Sequence, residues 1–401
     1  MPNFKTIDEL DVQGKKVIVR ADLNVPMRDG KISDLTRIDR SVLTINELIS
    51  RGASVIVISH FSRPNGQVVP GMSLRPIAAA LGRALYQEVI FANDCVGPSA
   101  KNTIASAPVG SVILLENLRF YKEEEQNADE FADQLAALAD CYVNDAFSSA
   151  HRAHASTVAI TKRLPTAAGR LMQAELEALE RALIDPAHPV AAIVGGAKIS
   201  TKMAVLSHLI SNVDQLIVGG GMANTFLHAQ GFNVGYSLCE PEMADQARQI
   251  MGRAQEANCE IVLPVDTVVG VELAENTSTR EVSALAVPDD YMILDIGPAS
   301  IFDLKSRLRE CKSLLWNGPL GAFEIPPFDI GTNEVAREAA RLTIEGKLLS
   351  IAGGGDTIAA LANAGAAGDF SYVSSAGGAF LEWLEGRTLP GIAALDCYPT
   401  L

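Results

Sequence analysis

Four arginines hold matching places in the first half of the chain. Arg37 follows the apolar run KKVIVR and the residues Asp22 and Asn24. Arg63 follows ASVIVIS and His60, Arg119 follows VILLE and Asn117, and Arg152 stands between His151 and His154 after CYVND. A guanidinium fork matches the paired oxygens of carboxylates and phosphates better than a point charge does. One such arginine is expected to pair with a loop carboxylate. Four placed alike after successive apolar runs point instead to a small, multiply anionic ligand. HRAHAS carries two histidines three apart without a third ligand, so hydrogen-bonding loop histidines are the better reading than a metal site.

The second half does its chemistry with glycine. VAAIVGGAKISTK, SNVDQLIVGGGMANTF, LLSIAGGGDTIAAL and SYVSSAGGAFLEWLEG each read as an apolar strand, a glycine turn and a helix. Glycine lets backbone N–H groups come close to a ligand, and the following helix N-terminus favours anions. Four such turns make a nucleotide phosphate site the better inference. Lys198 and Lys202 are spaced i,i+4, which predicts one face at a helix start from which either could reach a phosphate. Asp356, directly after three glycines, suits a helix cap or a carboxylate for Mg²⁺ beside phosphate. SLLWNGPLGAFE ends in Glu324, an acid placed to accept from ribose hydroxyls. The familiar fingerprints are missing: there is no G-x-x-x-x-G-K-[ST], GGGMANTF lacks the third glycine of the dinucleotide motif, and neither H-R-D nor D-F-G occurs.

Continuous Val/Ile-rich runs alternating with helical patterns argue for parallel sheets covered on both faces, which bind ligands beyond the carboxyl ends of their strands. At 401 residues two domains are expected. The net charge of −15 belongs wholly to one half: residues 1–170 hold 19 Lys+Arg and 19 Asp+Glu, residues 171–401 hold 14 and 29. The charge border coincides with Leu171–Ile184, where Met172, Leu176, Leu179 and Leu183 form an apolar helical stripe. No Lys/Arg-rich run marks a nucleic-acid surface. No apolar run reaches membrane-span length, and MPNFKTIDELDVQGKK lacks a secretory h-region. The six cysteines show no CxxC spacing and read as buried thiols of a cytoplasmic protein.

RADLNVP, SHFSRP, ENLRF, DAFSSAHRAHAS, GGAKISTK, GGGMANTF, WNGPLGAFE and GGGDT closely resemble the phosphoglycerate kinase family, in order and from about residue 4 to 390. The resemblance, in its bacterial form, implies two doubly wound, Rossmann-like domains facing across a cleft and joined by a helix. The divisions it implies are 1–170 with about 389–401 for phosphoglycerate, 171–185 as connector and 186–388 for nucleotide. It implies transfer of the acyl phosphate of 1,3-bisphosphoglycerate to MgADP, giving 3-phosphoglycerate and MgATP, by a monomer that closes about a hinge. Asp22, Asn24, Arg37, His60, Arg63, Arg119 and Arg152 would hold phosphoglycerate. Gly196, Ala197, Lys198, Lys202, Gly220, Asn317, Glu324, Gly353, Gly354, Gly355, Asp356 and Thr357 would hold the nucleotide, with Asp356 serving Mg²⁺. Arg37 and Lys202 would meet the migrating phosphoryl. Phe61-Ser62 stand where Leu-Gly is usual, Ser148-Ser149 where Gly-Thr is, and Tyr372 and Ala376 replace a histidine and a glycine. A nicotinamide-linked dehydrogenase and a nucleotide-binding regulator without turnover are the rival classes. NADH absorbance would reveal the first, and joint retention of Arg37, Lys202 and Asp356 speaks against the second.

Overall fold

A computed structural model describes residues 4–28, 30–184 and 186–395. The chain divides into two compact units, Met1–Glu177 with Thr388–Leu401, and Ala178–Arg387. In the first, strands β1 (Lys16–Arg20), β2 (Ser54–Ile58), β3 (Val89–Phe91), β4 (Val112–Leu114), β5 (Cys141–Asn144) and β6 (Thr166–Ala168) form one parallel sheet in the order β3-β4-β2-β1-β5-β6. Strand periodicity explains why these runs are apolar throughout. Val17, Val19, Val55 and Val57 enter one core with Ile38, Ile45 and Leu81, while Ile18, Ile56 and Ile58 enter another with Ala100, Phe131 and Leu135. Both faces are buried, so no polar alternation survives.

The same parity has a chemical consequence at the end of β1. Arg20 falls on the face of Ile18 and is fully buried, while Ala21 turns back to the other core. The next residues, Asp22 and Asn24, leave the sheet at its carboxyl edge.

Leu171–Ile184 is helical, but not uniformly: Arg170–Leu179 is α and Glu180–Ile184 is a π turn. Met172, Leu176, Leu179 and Leu183 are all buried. Asp145 starts this helix by accepting from the N–H groups of Leu171 (2.9 Å) and Met172 (3.2 Å). Arg170 puts a cation at the positive end of the helix dipole, and the carboxylates of Asp8 (2.6 Å) and Glu47 (2.5 Å) offset it. Burial raises the Asp145 carboxyl from 3.8 to about 7, against the hydrogen bonds from Thr44, Met172 and Leu171. Between pH 4 and 7 the folded chain then binds more protons here than the unfolded chain, so this group costs stability as pH rises. Asp145→Asn is expected to flatten that part of the dependence, read as thermal midpoint against pH. Parallel curves for the two proteins would refute it.

Near the far end of the chain, Gly391 N–H donates to the Ala150 carbonyl (2.8 Å), tying the segment after residue 388 to the first unit. The rest of that segment, 396–401, lies outside the described residues.

The second unit repeats the plan. Strands β7 (Val190–Val194), β8 (Gln215–Val218), β9 (Glu260–Val262), β13 (Ser313–Asn317), β14 (Leu349–Gly353) and β15 (Tyr372–Ser374) are parallel in the order β9-β8-β7-β13-β14-β15. Between β9 and β13 come β10 (Asp266–Gly270), β11 (Thr279–Ser283) and β12 (Met292–Ile296), an antiparallel sheet of order β11-β10-β12. In a parallel sheet every carboxyl end lies on one edge. The glycine turns follow β7, β8, β14 and β15, and Asn317 ends β13, so all five share that edge. No helix among the described residues is long and apolar enough to cross a membrane.

Candidate functional site

At the carboxyl edge of the first unit, Asp22 organises the others. Its carboxylate pairs with Arg37 Nη1 (2.9 Å), accepts from Asn24 N–H (3.1 Å) and accepts from the Ser148 hydroxyl (2.6 Å). Arg37 lies in the first turn of the helix Thr36–Ser50, where the dipole disfavours a cation. Asp22 and the Asn24 carbonyl (2.9 Å) hold it there. Ser148, where the family usually has glycine, contributes an anchor that glycine has no hydroxyl to make.

Asn117 shapes the neighbouring loop. It is fully buried, donates to the Phe61 (2.7 Å) and Met72 (2.9 Å) carbonyls, and accepts from Phe61 N–H (3.1 Å). Ser62, at a position where glycine is usual, has φ +57, a left-handed conformation that costs a non-glycine residue energy. Asn24 Oδ1 accepts its N–H (2.9 Å) and Arg119 Nη1 donates to its carbonyl (3.0 Å), so two site residues hold the strained one. Arg119 is nearly buried and also meets Glu125 (3.3 Å). Arg152 donates from Nε to His151 Nε2 (3.1 Å). Arg63 is exposed, with no hydrogen bond or ion pair among the described residues. Among the described residues, two of the four arginines thus have carboxylate partners and two do not.

His60 is buried, and its imidazole is held well below the usual range by burial first and then by Arg20, Arg119, His154 and Arg37. His154 is likewise brought down to about 3 by burial and the arginines. It is therefore neutral, and its 3.8 Å approach to Glu124 is neither an ion pair nor a hydrogen bond. These groups feel one another because they share one sheet edge.

In the second unit Lys202 is the centre. Its ammonium donates to the Gly195 carbonyl (2.7 Å), the Asn317 carbonyl (3.1 Å) and Asn317 Oδ1 (2.6 Å). All three acceptors are neutral, so burial lowers the amine from 10.5 to about 8, opposed by Asp356. Asn317 donates onward to the Gly353 carbonyl (2.7 Å), and Thr357 Oγ1 accepts from Gly318 N–H (2.7 Å). Gly354 has φ +102, and a Cβ there would lie 2.7 Å from Asn317 Nδ2. A Cβ on Gly195 would overlap the Pro319 carbonyl oxygen, a backbone atom that cannot swing aside. Gly195→Ala is therefore expected to cost at least about 3 kcal/mol in urea unfolding. A loss below about 1 kcal/mol would mean that the loops move freely.

Two expectations need correction. Lys198 and Lys202 do not share a helical face: Ile199–Thr201 is a 3-10 turn, and the α-helix begins only at Met203. Glu240 fixes that turn by accepting from Ser200 N–H (3.0 Å) and its hydroxyl (2.6 Å), which overrides a beginning α-helix. Lys198 is exposed while Lys202 turns inward. Nor do all the glycine turns leave N–H groups free. Those of Gly195, Gly219 and Gly220 donate to Asn317, Val194 and Leu320 carbonyls, so these glycines serve close strand and loop packing. The helix Gly355–Asn363 is different: its first-turn N–H groups have no intrahelical acceptor, and those of Gly355, Asp356 and Thr357 meet no other among the described residues.

Beside this lies a pocket of about 570 Å³. Gly196, Ala197, Gly220, Glu324 and Asp356 line it, together with apolar Leu238, Leu294 and Phe323. Asp356 is an exposed carboxylate in the first turn of Gly355–Asn363, where the dipole favours it. Among the described residues no cluster of three or more His, Cys, Asp or Glu could hold a metal by itself.

Arg20, Glu124 and Ser156 escaped the sequence reading because they look like strand and loop residues. The available signal was parity: Arg20 sits at an inward position of an otherwise apolar strand.

Fold and site together are those of an α/β phosphotransferase. The Phosphoglycerate kinase family model matches residues 7–387. A phosphoglycerate kinase of Ruegeria sp. is 56% identical over 393 residues, covering 98% of this chain and 99% of that protein, and one of Granulibacter bethesdensis is 57% identical with the same coverage. The phosphoglycerate kinase structure from Coxiella burnetii superimposes with a TM-score of 0.91 at 43% identity, covering 98% of each chain. That from Pyrococcus horikoshii gives 0.81 at 30% identity, again over 98% of each chain. The chain belongs to the phosphoglycerate kinase family, and is a kinase of glycolysis that transfers phosphate to and from a carboxyl group.

Proposed function

We propose that the first unit binds 3-phosphoglycerate or 1,3-bisphosphoglycerate, the second binds ADP or ATP, and Arg37 and Lys202 act on the phosphoryl group in transit. Asp22, Asn24, Arg37, His60, Arg63, Arg119 and Arg152 would take the phosphoglycerate. The observation that carries this half is the linkage of these residues at one sheet edge: Arg37 to Asp22 (2.9 Å), Ser62 N–H to Asn24 Oδ1 (2.9 Å) and Arg119 to the Ser62 carbonyl (3.0 Å). The apolar pocket suits an adenine ring, Glu324 at its rim suits the ribose, and the open N–H groups of Gly355, Asp356 and Thr357 suit phosphate oxygens. Lys198 is exposed, and this reading assigns it to the same phosphates.

The residues fit Mg²⁺ carried by the nucleotide: one exposed carboxylate, Asp356, beside Lys202, with phosphates to complete the shell. When bound, the ion neutralises phosphate charge. A β-phosphate oxygen of ADP attacks the acyl phosphorus and the P–O bond to the acyl group breaks, releasing a carboxylate. No proton need move, so a neutral His60 and the lack of a general base suit this chemistry. Water would compete for the phosphoryl group, so the groups of both units must meet around it in a closed state. Small-angle scattering is expected to give a smaller radius with both ligands than with either, and an unchanged radius would count against closure. A monomer suffices, since each unit supplies its half of the site. Cys95, Cys141, Cys259 and Cys311 are free and buried, as suits a cytoplasmic protein.

The direct test is ATP consumption dependent on 3-phosphoglycerate, coupled to glyceraldehyde-3-phosphate dehydrogenase and followed as NADH loss. ATP loss without 3-phosphoglycerate would reject the reading.

A further inference from the structure

Arg20 has no place in the reaction just described, yet it is a fully buried cation at the end of the strand that carries Asp22. Four donations hold it. Nε donates to Ser156 Oγ (3.0 Å), Nη1 to the Ala21 carbonyl (2.5 Å), and Nη2 to Ser149 Oγ (3.3 Å) and His60 Nδ1 (2.9 Å). Its charge is balanced through Ser156, whose hydroxyl and N–H donate to the fully buried Glu124 (2.5 and 2.9 Å). An isolated buried guanidinium would be very costly, so this network is maintained against a large penalty.

Arginine has donors only and stays protonated, so the nitrogen that faces Nη2 must accept. Nδ1 of a neutral imidazole accepts only when the proton sits on Nε2. The arrangement thus leaves one outcome for the other side of the ring: an N–H rather than a lone pair. A donor attracts a carboxylate or phosphate oxygen, and a lone pair repels it.

We propose that Arg20 is a positioning residue for the transfer reaction, fixing His60 as the Nε2–H tautomer so that the imidazole offers a hydrogen bond to the anionic phosphoglycerate. This rests on the reading of His60 as a phosphoglycerate ligand. Ser149 and Ser156 act one step further out by fixing the plane of the guanidinium. Arg20 touches His60, and Arg119, His154 and Arg37 act on it electrostatically, so the site gains its attraction for anions from the arginines and its direction from the imidazole.

The test is long-range ¹H–¹⁵N correlation spectroscopy on the full-length, ¹⁵N-histidine-labelled enzyme, with kinetics on 3-phosphoglycerate and ATP. In the unliganded wild type, His60 is expected to show an unprotonated Nδ1 and a protonated Nε2. A spectrum with Nδ1 protonated overturns the role of Arg20 and leaves phosphoglycerate binding by the unit intact. Arg20→Lys, which keeps the charge but not the fork, is expected to mix the tautomers and raise KM for 3-phosphoglycerate about tenfold with KM for ATP unchanged. A raised KM with the tautomer preserved would overturn the proposal. Should Arg20→Lys not fold, the wild-type spectrum and a pair of His60 variants decide. His60→Gln, whose amide nitrogen stands in for Nε2–H, is expected to keep KM for 3-phosphoglycerate within about threefold, and His60→Ala to lose about tenfold. Equal losses would refute the donor role. No loss in His60→Ala would remove His60 from the phosphoglycerate site altogether, a failure of the binding reading that the spectrum tells apart.

Discussion

Lys202→Ala is expected to lower kcat about 10³-fold while changing KM for ATP and for 3-phosphoglycerate less than about fivefold. The ground-state ammonium is already satisfied by three neutral oxygens from Gly195 and Asn317. Charge that develops on the phosphoryl group in transit is the partner it lacks. A group that gains its strongest interaction only in the transition state affects kcat more than binding. The depressed amine adds a pH signature. Burial lowers Lys202 to about 8, so in the free enzyme the charged form is present below that value and is lost as pH rises through it. The ratio kcat/KM for nucleotide should therefore fall above about pH 8, whereas kcat, measured with phosphates bound beside the amine, should persist to higher pH. Lys202→Arg should remove the fall, because a guanidinium does not titrate there. A near-normal kcat in the alanine variant would take Lys202 out of the reaction.

The two sheets were legible because their strands are apolar on both faces. Val17 to Val19 and Val190 to Val194 read as central strands of a covered parallel sheet, as they are, and parallel topology then puts every strand end on one edge. What could not be read was how each loop spends its backbone groups. The glycines after β7 and β8 look in sequence like those after β14, but the former close onto neighbouring carbonyls and the latter open a helix whose first donors meet no acceptor among the described residues. That difference depends on acceptors on other strands and loops, Asn317 for Gly195, Val194 for Gly219 and Leu320 for Gly220, and no local pattern carries it. Lys198 and Lys202 failed as a helical pair for the same kind of reason: Glu240, forty residues from Ser200, holds a 3-10 turn where local spacing reads as α-helix. Arg37 was legible as a candidate because an arginine following Asp22 and Asn24 after a strand end needs no distant contact to be noticed. Arg20 was passed over because what sets it apart, its contact with His60, lies forty residues away.

Arg37→Ala is expected to lower kcat by at least about 10³-fold, the scale at which arginines act in other phosphoryl transfers. The single variant alone would be ambiguous. Removing Arg37 leaves the Asp22 carboxylate without its 2.9 Å partner at a site meant for an anion, so binding of 3-phosphoglycerate should weaken as well. Asp22→Asn in the same chain relieves that repulsion. In the double variant KM for 3-phosphoglycerate should recover substantially while kcat stays low, because the amide restores neutrality but supplies no charge to the moving phosphoryl group. Arg37→Lys separates charge from geometry. Nη1 is occupied by Asp22 and the Asn24 carbonyl, and a lysine has a single ammonium that Asp22 would capture at the same place. Only the fork can serve Asp22 with one nitrogen and a substrate oxygen with another, so lysine should recover less than about a tenth of the lost rate. If the double variant regained kcat along with KM, Arg37 would be a binding residue alone, and the charge on the transferring group would have to be met by Lys202 without help from the first unit.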